Sequence, residues 1–195
     1  MNVVVMVSGN GSNMQAIIDA IEKGRLPGAE IVMVISSNAS AYALERAKNH
    51  NIPYFVAGRT EFPVEKDRTA AILAALKSSE AELIVLAGYM SILAPDIIRA
   101  YEKRIINIHP SLIPKHCGMG YFGMRVHESV LRSGDRESGA TVHFVDEGVD
   151  TGQIIIQDRV PVLEGDDADT LAARVLETEH RILVKAINMI RGKYK

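Results

Sequence analysis

Apolar runs and stretches of helical spacing alternate along the first hundred residues of the chain. The run Val3-Val4-Val5-Met6-Val7 is continuously apolar, which is typical of a strand buried on both faces. The same reading predicts further strands at 29–36, 53–56, 83–87 and 104–109, and helices at 14–21, 41–49, 65–78 and 96–101. Strands that alternate with helices predict an α/β fold whose sheet is mostly parallel and twisted, with helices on both faces.

The second half of the chain predicts a different arrangement. Residues 139–146 alternate between apolar and polar, as a half-buried strand does, and a short turn leads to a second strand at 153–157. These strands should form an antiparallel C-terminal hairpin. Helices are predicted at 125–132 and 169–190, the latter capped by Asp167 or Asp169. No repeat or linker interrupts the chain, so residues 1–195 are expected to form a single domain.

Composition and charge exclude several classes of protein. Hydrophobic residues make up 47% and charged residues 24% of the chain, as in ordinary soluble proteins, and the net charge of -2 gives no reason to expect a nucleic-acid partner. No apolar run is long enough to span a membrane and no leader precedes the first strand, so we expect a cytoplasmic protein. Cys117 is the only cysteine, and six scattered histidines lack metal-ligand spacing, so neither a disulfide nor a metal is expected.

A glycine-rich turn joins the first strand to the first helix. In Ser8-Gly9-Asn10-Gly11-Ser12-Asn13, backbone N–H groups would lie beside the positive end of a helix, which favours an anion. Ser12 and Asn13 would serve equally as helix caps without touching a ligand. The turn is neither a Walker motif nor a complete Gly-x-Gly-x-x-Gly, so the phosphate of a small substrate is preferred over a dinucleotide.

The strand at 104–109 ends in polar side chains. Asn107 and His109 should point to the same face, since strand side chains alternate, and Pro110 stops the strand. Histidine titrates near neutral pH and an asparagine amide donates to developing negative charge, so the pair suits acyl-type chemistry. On these residues alone, a hydrogen-bonded strand end without catalytic function is the preferred interpretation.

Five segments together resemble the phosphoribosylglycinamide formyltransferases, folate-dependent enzymes of purine synthesis. They run in family order over nearly the whole chain: residues 8–13, 86–90 (Leu-Ala-Gly-Tyr-Met), 107–114 (Asn-Ile-His-Pro-Ser-Leu-Ile-Pro), 141–145 (Thr-Val-His-Phe-Val) and 150–152 (Asp-Thr-Gly). Other folate formyl enzymes share the central segment, whereas the turn at 8–13 discriminates between them. The resemblance implies a Rossmann-like formyltransferase fold.

The resemblance also implies an activity and its residues. A formyl group would pass from 10-formyltetrahydrofolate, a co-substrate, to the glycinamide amine of a phosphoribosyl substrate, without a metal or a covalent intermediate. Asn107, His109 and Asp150 would be catalytic, with His143 in support. Substrate would be bound by Gly11, Ser12, Asn13, Gly88, Pro110 and Glu179, and the folate by Met90, Ser91, Ile92, Leu93, Val145, Asp146 and Asp150. The N-terminal half would thus bind phosphate, and the C-terminal half would bind folate and catalyse.

Several positions have no single interpretation. Helical spacing alone indicates that Glu179 is a solvated charge. Ser91 stands where the family commonly has arginine. The family also has an arginine that binds substrate or folate in the region of residues 60–68, and Arg59, Lys66 and Arg68 are all candidates for that position. His116 and Cys117 replace the usual residues and receive no function.

Three rival functions make different demands on the chain. A methionyl-tRNA formyltransferase would carry an additional C-terminal RNA-binding domain and a more basic surface. A formyltetrahydrofolate hydrolase would carry an N-terminal regulatory domain. A non-catalytic nucleotide-binding module would explain residues 11–13 but leave Asn107, His109 and Asp150 without purpose. The expected partners are small molecules, and the protein is expected to be a monomer or a homodimer.

Overall fold

A computed structural model describes residues 1–193 of the chain. The chain divides into two compact units, the first covering Met1–Ile106 and the second the described residues from Asn107 onwards. The expectation of a single domain over 1–195 stays a prediction, and it includes residues 194 and 195, which lie outside the described part. No helix within residues 1–193 is long and apolar enough to cross a membrane.

The first unit alternates strands with helices, as its apolar pattern predicts. Its strands are β1 (Asn2–Val7), β2 (Glu30–Ser36), β3 (Tyr54–Val56) and β4 (Leu83–Leu86), and its helices are α1 (Ser12–Glu22), α2 (Tyr42–Asn49), α3 (Glu65–Ser78) and α4 (Pro95–Ala100). The strands pair in parallel in the order β3-β2-β1-β4. Central strand β1 is buried from Val3 to Val7, which explains why the sequence carries no polar residue there.

Parallel pairing brings two loops of this unit to the same edge. The turn at 8–13 follows β1 and the loop at 87–94 follows β4, and the carboxyl ends of parallel neighbours share one edge of the sheet. The backbone N–H of Met90 donates to Ser8 Oγ at 2.8 Å, which ties the two loops together. This edge is where open α/β sheets bind ligands.

Strand β5 (Ile105–His109) begins in the first unit and ends in the second. The second unit continues with α5 (Met124–Ser133), β6 (Glu137–Phe144), β7 (Ile154–Pro161) and α6 (Ala168–Lys193). Strands β6 and β7 pair antiparallel, which confirms the predicted hairpin. Asp167 is the residue that caps α6, because its carboxylate accepts from the Thr170 N–H at 2.8 Å while its own N–H donates to Thr170 Oγ1.

Strand β6 is buried along almost its whole length, so the prediction of a half-buried strand is wrong. Its polar positions find partners inside the protein. Thr141 Oγ1 donates to the carbonyl of Ser111 at 2.6 Å and accepts from Gln157 Nε2 at 2.8 Å. The polar positions of this strand therefore reflect hydrogen bonds to other segments of the protein and not exposure to water.

The connection between β6 and β7 is longer than the sequence predicts, because β6 already ends at Phe144. Asp146 holds this loop: its Oδ1 accepts from the Gly148 N–H at 3.1 Å and from Thr151 Oγ1 at 2.6 Å. A Cβ on Gly152 would collide with the carbonyl oxygen of Phe144, so only glycine fits where the loop returns. Asp150 is carried at the end of this loop.

Candidate active site

Asn107, His109 and Asp150 come together at the end of β5. Asn107 Nδ2 lies 3.4 Å from Asp150 Oδ1, and His109 Nδ1 lies 3.6 Å from Asp150 Oδ2. Asn107 and His109 reach the same carboxylate because they share one face of the strand. Asp150 adopts a left-handed backbone conformation, with φ of 58°, at the end of the β6–β7 loop. Asp150 is thus within long hydrogen-bonding distance of Asn107 and in direct contact with His109.

His143, on the neighbouring stretch of β6, orients Asn107. Its Nδ1 donates to the carbonyl of Phe144 at 2.8 Å, which leaves Nε2 of the neutral ring as an acceptor. Asn107 Nδ2 lies 3.2 Å from that Nε2, so one amide hydrogen points to His143 and the other to Asp150. The contact to Asp150 is the longer and weaker of the two, and its hydrogen is therefore the one available to a ligand.

His109 is held through its other ring nitrogen. Its Nε2 donates to the backbone carbonyl of His116 at 2.9 Å. The neutral ring then carries its proton on Nε2, and Nδ1 presents a lone pair beside Asp150. This tautomer makes Nδ1 the atom of His109 that accepts a proton.

The environment keeps His109 neutral at rest. Burial lowers the pKa of His109 below its usual value, and the nearby charge of Asp150 only partly opposes this. For Asp150, burial by itself raises the pKa, but the polar groups around the carboxylate, the Gly118 N–H among them, lower it overall. A neutral imidazole therefore faces an ionised carboxylate at neutral pH, which is an arrangement for accepting a proton and stabilising the resulting charge.

The loop after β5 supplies two backbone contacts that sequence reasoning missed. Besides the His116 carbonyl on His109, the Gly118 N–H donates to Asp150 Oδ2 at 2.9 Å. Gly118 has a φ of +88°, which favours glycine. The cluster of glycines at 118, 120 and 123 indicates close backbone approach, but it does not identify the group approached.

The turn at 8–13 leads into α1, which begins at Ser12. Gly11 occupies the N-cap position with φ of 77° and no side chain caps the helix, so the alternative that Ser12 or Asn13 caps it is wrong. Both residues already lie inside the first helical turn, where their backbone N–H groups belong to the positive end of the helix. Asn13 is buried, whereas Gly11 and Ser12 are partly exposed.

Arg46 on α2 holds this turn, which no local sequence signal indicated. Its Nε donates to the carbonyl of Asn10 at 2.9 Å, and its Nη2 donates to Asn10 Oδ1 at 3.0 Å. The Ala43 N–H also donates to the Gly9 carbonyl at 3.1 Å. Helix α2 therefore holds the turn in place through Arg46 and Ala43.

The loop after β4 presents apolar side chains to solvent. Met90 is 54% and Ile92 is 70% exposed, which suits contact with a flat ligand, while Leu93 is buried in the core. Gly88 is exposed and has a φ of +71°. Ser91 hydrogen-bonds to the Tyr89 hydroxyl.

Arg68 is the competing basic residue whose charge acts on Tyr89 in this loop. Burial raises the pKa of Tyr89, and the positive charge of Arg68 acts against that rise. Arg68 Nη1 also donates to the carbonyl of Phe62 at 3.3 Å, which directs the side chain along this part of the first unit.

The remaining predicted binding residues differ in exposure. Glu179 on α6 is only 8% exposed, so the interpretation as a solvated helix charge is wrong. A carboxylate is rarely buried on a helix unless it has a partner or a function, and helical spacing alone does not reveal this. Pro110 and Val145 are partly exposed, and Asp146 is exposed but engaged in its own loop. Within residues 1–193, no group of His, Cys, Asp and Glu side chains could hold a metal ion.

His127 makes the fold sensitive to acid. It is 4% exposed with an unpaired Nδ1, and burial, with a smaller contribution from the His109 charge, lowers its pKa from 6.5 to about 4. As the pH falls through this interval, the unfolded chain binds a proton that the folded protein does not. Each unit of pKa difference is worth about 1.4 kcal/mol. The contribution of His127 should therefore lower the free energy of unfolding as the pH falls below 6.5, and this decrease should level off near pH 4.

Urea unfolding at several pH values measures this slope. Other titrating groups contribute to wild type and to His127→Gln alike, so the difference between the two isolates His127. The variant should show a shallower loss of stability between pH 6.5 and 4. Equal slopes in the two proteins would contradict the assignment.

Comparison with known proteins places this chain in a family. The formyl transferase family model matches residues 1–187. The chain is 43% identical over 180 residues to the phosphoribosylglycinamide formyltransferase of Haemophilus influenzae, covering 92% of this chain and 82% of that protein. It is 44% identical over 189 residues to the trifunctional purine biosynthetic protein adenosine-3 of Drosophila pseudoobscura pseudoobscura, covering 96% of this chain but only 14% of that protein.

A solved structure shares the fold. The crystal structure of glycinamide ribonucleotide transformylase 1 from Symbiobacterium toebii superposes with a TM-score of 0.91 at 39% identity, covering 97% of this chain and 87% of that one. This confirms the predicted α/β formyltransferase fold, mostly parallel with an antiparallel C-terminal pair. The chain belongs to the formyl transferase family, as a relative of the phosphoribosylglycinamide formyltransferases.

Proposed function

We propose that the protein transfers the formyl group of 10-formyltetrahydrofolate to the amine of 5′-phosphoribosylglycinamide. The products are formylglycinamide ribonucleotide and tetrahydrofolate, in de novo purine biosynthesis. The observation that carries the proposal is the cluster of Asn107, His109 and Asp150, with contacts of 3.4 and 3.6 Å, in a chain of the formyl transferase family. These groups supply an oxyanion donor, a proton acceptor and a charge to stabilise it.

The amine nitrogen attacks the formyl carbon, and the carbonyl oxygen becomes an oxyanion. Asn107 is suited to stabilise that oxygen, because the amide hydrogen directed at Asp150 spans a long 3.4 Å contact and is easily redirected. His143 holds the other amide hydrogen at 3.2 Å and thereby keeps the amide oriented.

The proton of the attacking amine then passes to Nδ1 of His109, which carries a lone pair at rest. The imidazolium that forms is stabilised by Asp150 at 3.6 Å. When the bond from the formyl carbon to N10 of the folate breaks, His109 returns the proton to that nitrogen. One N–C bond forms, one N–C bond breaks, and no covalent enzyme intermediate is required.

The binding assignments complete the proposal. In the first unit, the α1 N-terminus at Gly11, Ser12 and Asn13 binds the substrate phosphate, with Gly88 contacting the substrate and Met90, Ser91, Ile92 and Leu93 contacting the folate. In the second unit, Pro110 and Glu179 contact the substrate, and Val145, Asp146 and Asp150 contact the folate. A carboxylate such as Glu179 accepts hydrogen bonds from the ribose hydroxyls. The cytoplasmic location and the monomeric or homodimeric state stay predictions.

Incubation of the purified protein with both substrates tests the proposal. Loss of 10-formyltetrahydrofolate should depend on phosphoribosylglycinamide, and the formyl group should appear on the glycinamide amine. Release of formate without the amine substrate would instead identify a hydrolase. Nucleotide binding without loss of the formyl folate would identify a non-catalytic binding module.

A side chain at Gly11 should weaken binding of the phosphate-bearing substrate. Gly11 has a φ of +77°, and a Cβ there would lie 2.6 Å from Cβ of Ala43, so Gly11→Ala displaces the turn from α2. We expect the KM for phosphoribosylglycinamide to rise by about tenfold, the loss expected for one disturbed charge-assisted contact. The KM for the folate should stay within about twofold of wild type, because the folate is assigned to residues outside this turn. Varying each substrate in turn measures the two KM values separately.

Matched variants separate crowding from backbone strain. Gly24 also has a positive φ, of +68°, but no atom lies within 4 Å of the position that a Cβ would take there, so Gly24→Ala carries similar strain without the crowding. Its KM values should remain unchanged. Adding Ala43→Gly to Gly11→Ala removes the close contact and should recover part of the substrate affinity. A parallel rise in both KM values would contradict the phosphate assignment.

A further inference from the structure

A polar cluster behind His109 is not used by the proposed reaction. His116 Nε2 donates to Asp135 Oδ2 at 2.9 Å, and His116 Nδ1 lies 2.9 Å from Ser129 Oγ. Lys115 Nζ adds an ion pair to the same carboxylate at 3.0 Å. Asp135 follows the C-terminus of α5, so the cluster ties that helix end to the loop after β5.

Serine, histidine and aspartate stand here in the order of a hydrolase triad. Ser129 is only 7% exposed, however, and its hydroxyl is occupied by His116, so no substrate reaches it. When Nε2–H donates to Asp135, Nδ1 accepts a hydrogen bond from the Ser129 hydroxyl. Both ring nitrogens are satisfied, which is the geometry of a fixed support and not of a nucleophile.

The hydrogen-bonded His116 is in direct contact with His109. The backbone carbonyl of His116 accepts from His109 Nε2 at 2.9 Å. His116 has a φ of 51°, a left-handed conformation that residues other than glycine rarely adopt without support. Its ring donates one hydrogen bond to Asp135 and accepts one from Ser129. A third, from Ser111 Oγ to the preceding carbonyl of Lys115 at 2.7 Å, also holds the backbone in place.

We propose that Asp135 and His116 form a positioning pair for His109. The carboxylate holds the His116 ring, the ring holds the left-handed backbone, and the carbonyl of that residue keeps the His109 proton on Nε2. The Nδ1 lone pair is thereby directed to Asp150 and to the attacking amine. The catalytic consequence rests on the proposed function, whereas the effect on the His109 tautomer does not.

The tautomer is measured by ¹⁵N NMR of the imidazole nitrogens of His109 in the full-length protein without substrate. Wild type should show the Nε2–H form. Asp135→Ala should increase the Nδ1–H form, lower kcat by about tenfold through loss of orientation, and change KM by less than about twofold. Asp135→Asn keeps an oxygen acceptor for His116 Nε2–H and should restore most of the wild-type tautomer and turnover.

Two further variants make the result decisive. Lys115→Ala removes the exposed ion pair on Asp135 but leaves His116 in contact with the carboxylate, so neither tautomer nor kcat should change. His116→Phe keeps an aromatic ring beside Tyr121 and loses both hydrogen bonds, so it should shift the tautomer as Asp135→Ala does, and it serves if that variant fails to fold. An unchanged Nε2–H form in either folded variant would overturn the proposal. Absence of formyl transfer by wild type would overturn the proposed function alone.

Discussion

Replacing His109 with alanine should lower kcat by ~10²-fold or more, while KM for both substrates stays near wild type. The substitution removes the Nδ1 atom that accepts the amine proton, and with it the imidazolium that Asp150 stabilises. Substrate binding is retained because the phosphate and the folate are assigned to other residues. Steady-state kinetics with each substrate varied in turn measures the effect.

His50→Ala is a suitable control for this experiment. His50 contacts Glu22 at 2.8 Å in the first unit, so its loss removes an imidazole and this contact without changing the second unit. Its kcat should match wild type. Turnover of folded His109→Ala close to the wild-type value would remove His109 from the mechanism.

Asp150→Asn should lower kcat by about 10²-fold, since the side chain keeps its shape but loses the charge that stabilises the imidazolium. The same change should alter the pH dependence of kcat. His109 must be neutral to accept the proton, so kcat decreases as the pH falls through the pKa of His109 in the substrate complex. Because the charge of Asp150 raises that pKa, its removal should move the acidic limb to lower pH.

Asp158→Asn makes the same chemical change on the surface of the same unit. Asp158 pairs with Arg181 at 2.6 Å, and both side chains are partly exposed, so turnover and its pH dependence should remain those of wild type. An acidic limb that stays in place, or moves to higher pH, in Asp150→Asn would contradict the assigned interaction between Asp150 and His109.

The two substitutions should not be additive. Asp150 acts on the reaction through the charge that His109 acquires, so removing the carboxylate from His109→Ala should cost much less than removing it from wild type. If the two losses of kcat instead multiply in the double variant, Asp150 transfers the proton independently of His109, for example through a bound water.

Much of the fold follows from local sequence. The apolar run of β1 and the helical spacing after it depend on neighbours within a few residues, and the bounds of α3 agree with the predicted 65–78. Alternation along β5 was also sufficient to place Asn107 and His109 on one face. The end of β6 and the burial of Thr141 were not predictable in this way, because hydrogen-bond partners from distant segments decide both.

The candidate site shows the same division. Motifs in chain order identified Asn107, His109 and Asp150, but not the atom of His109 that is free to act. That depends on the His116 carbonyl and on Asp135, which holds His116 from the end of α5. The contact of Arg46 with the turn at 8–13 and the burial of Glu179 likewise depend on how distant segments pack together.

The sequence by itself determined which elements form and which side chains could react, since backbone periodicity and residue chemistry are local properties. Only the tertiary structure decided protonation, burial and orientation. Each of these depends on the field and the hydrogen-bonding partners around a group, and those partners come from residues far apart along the chain.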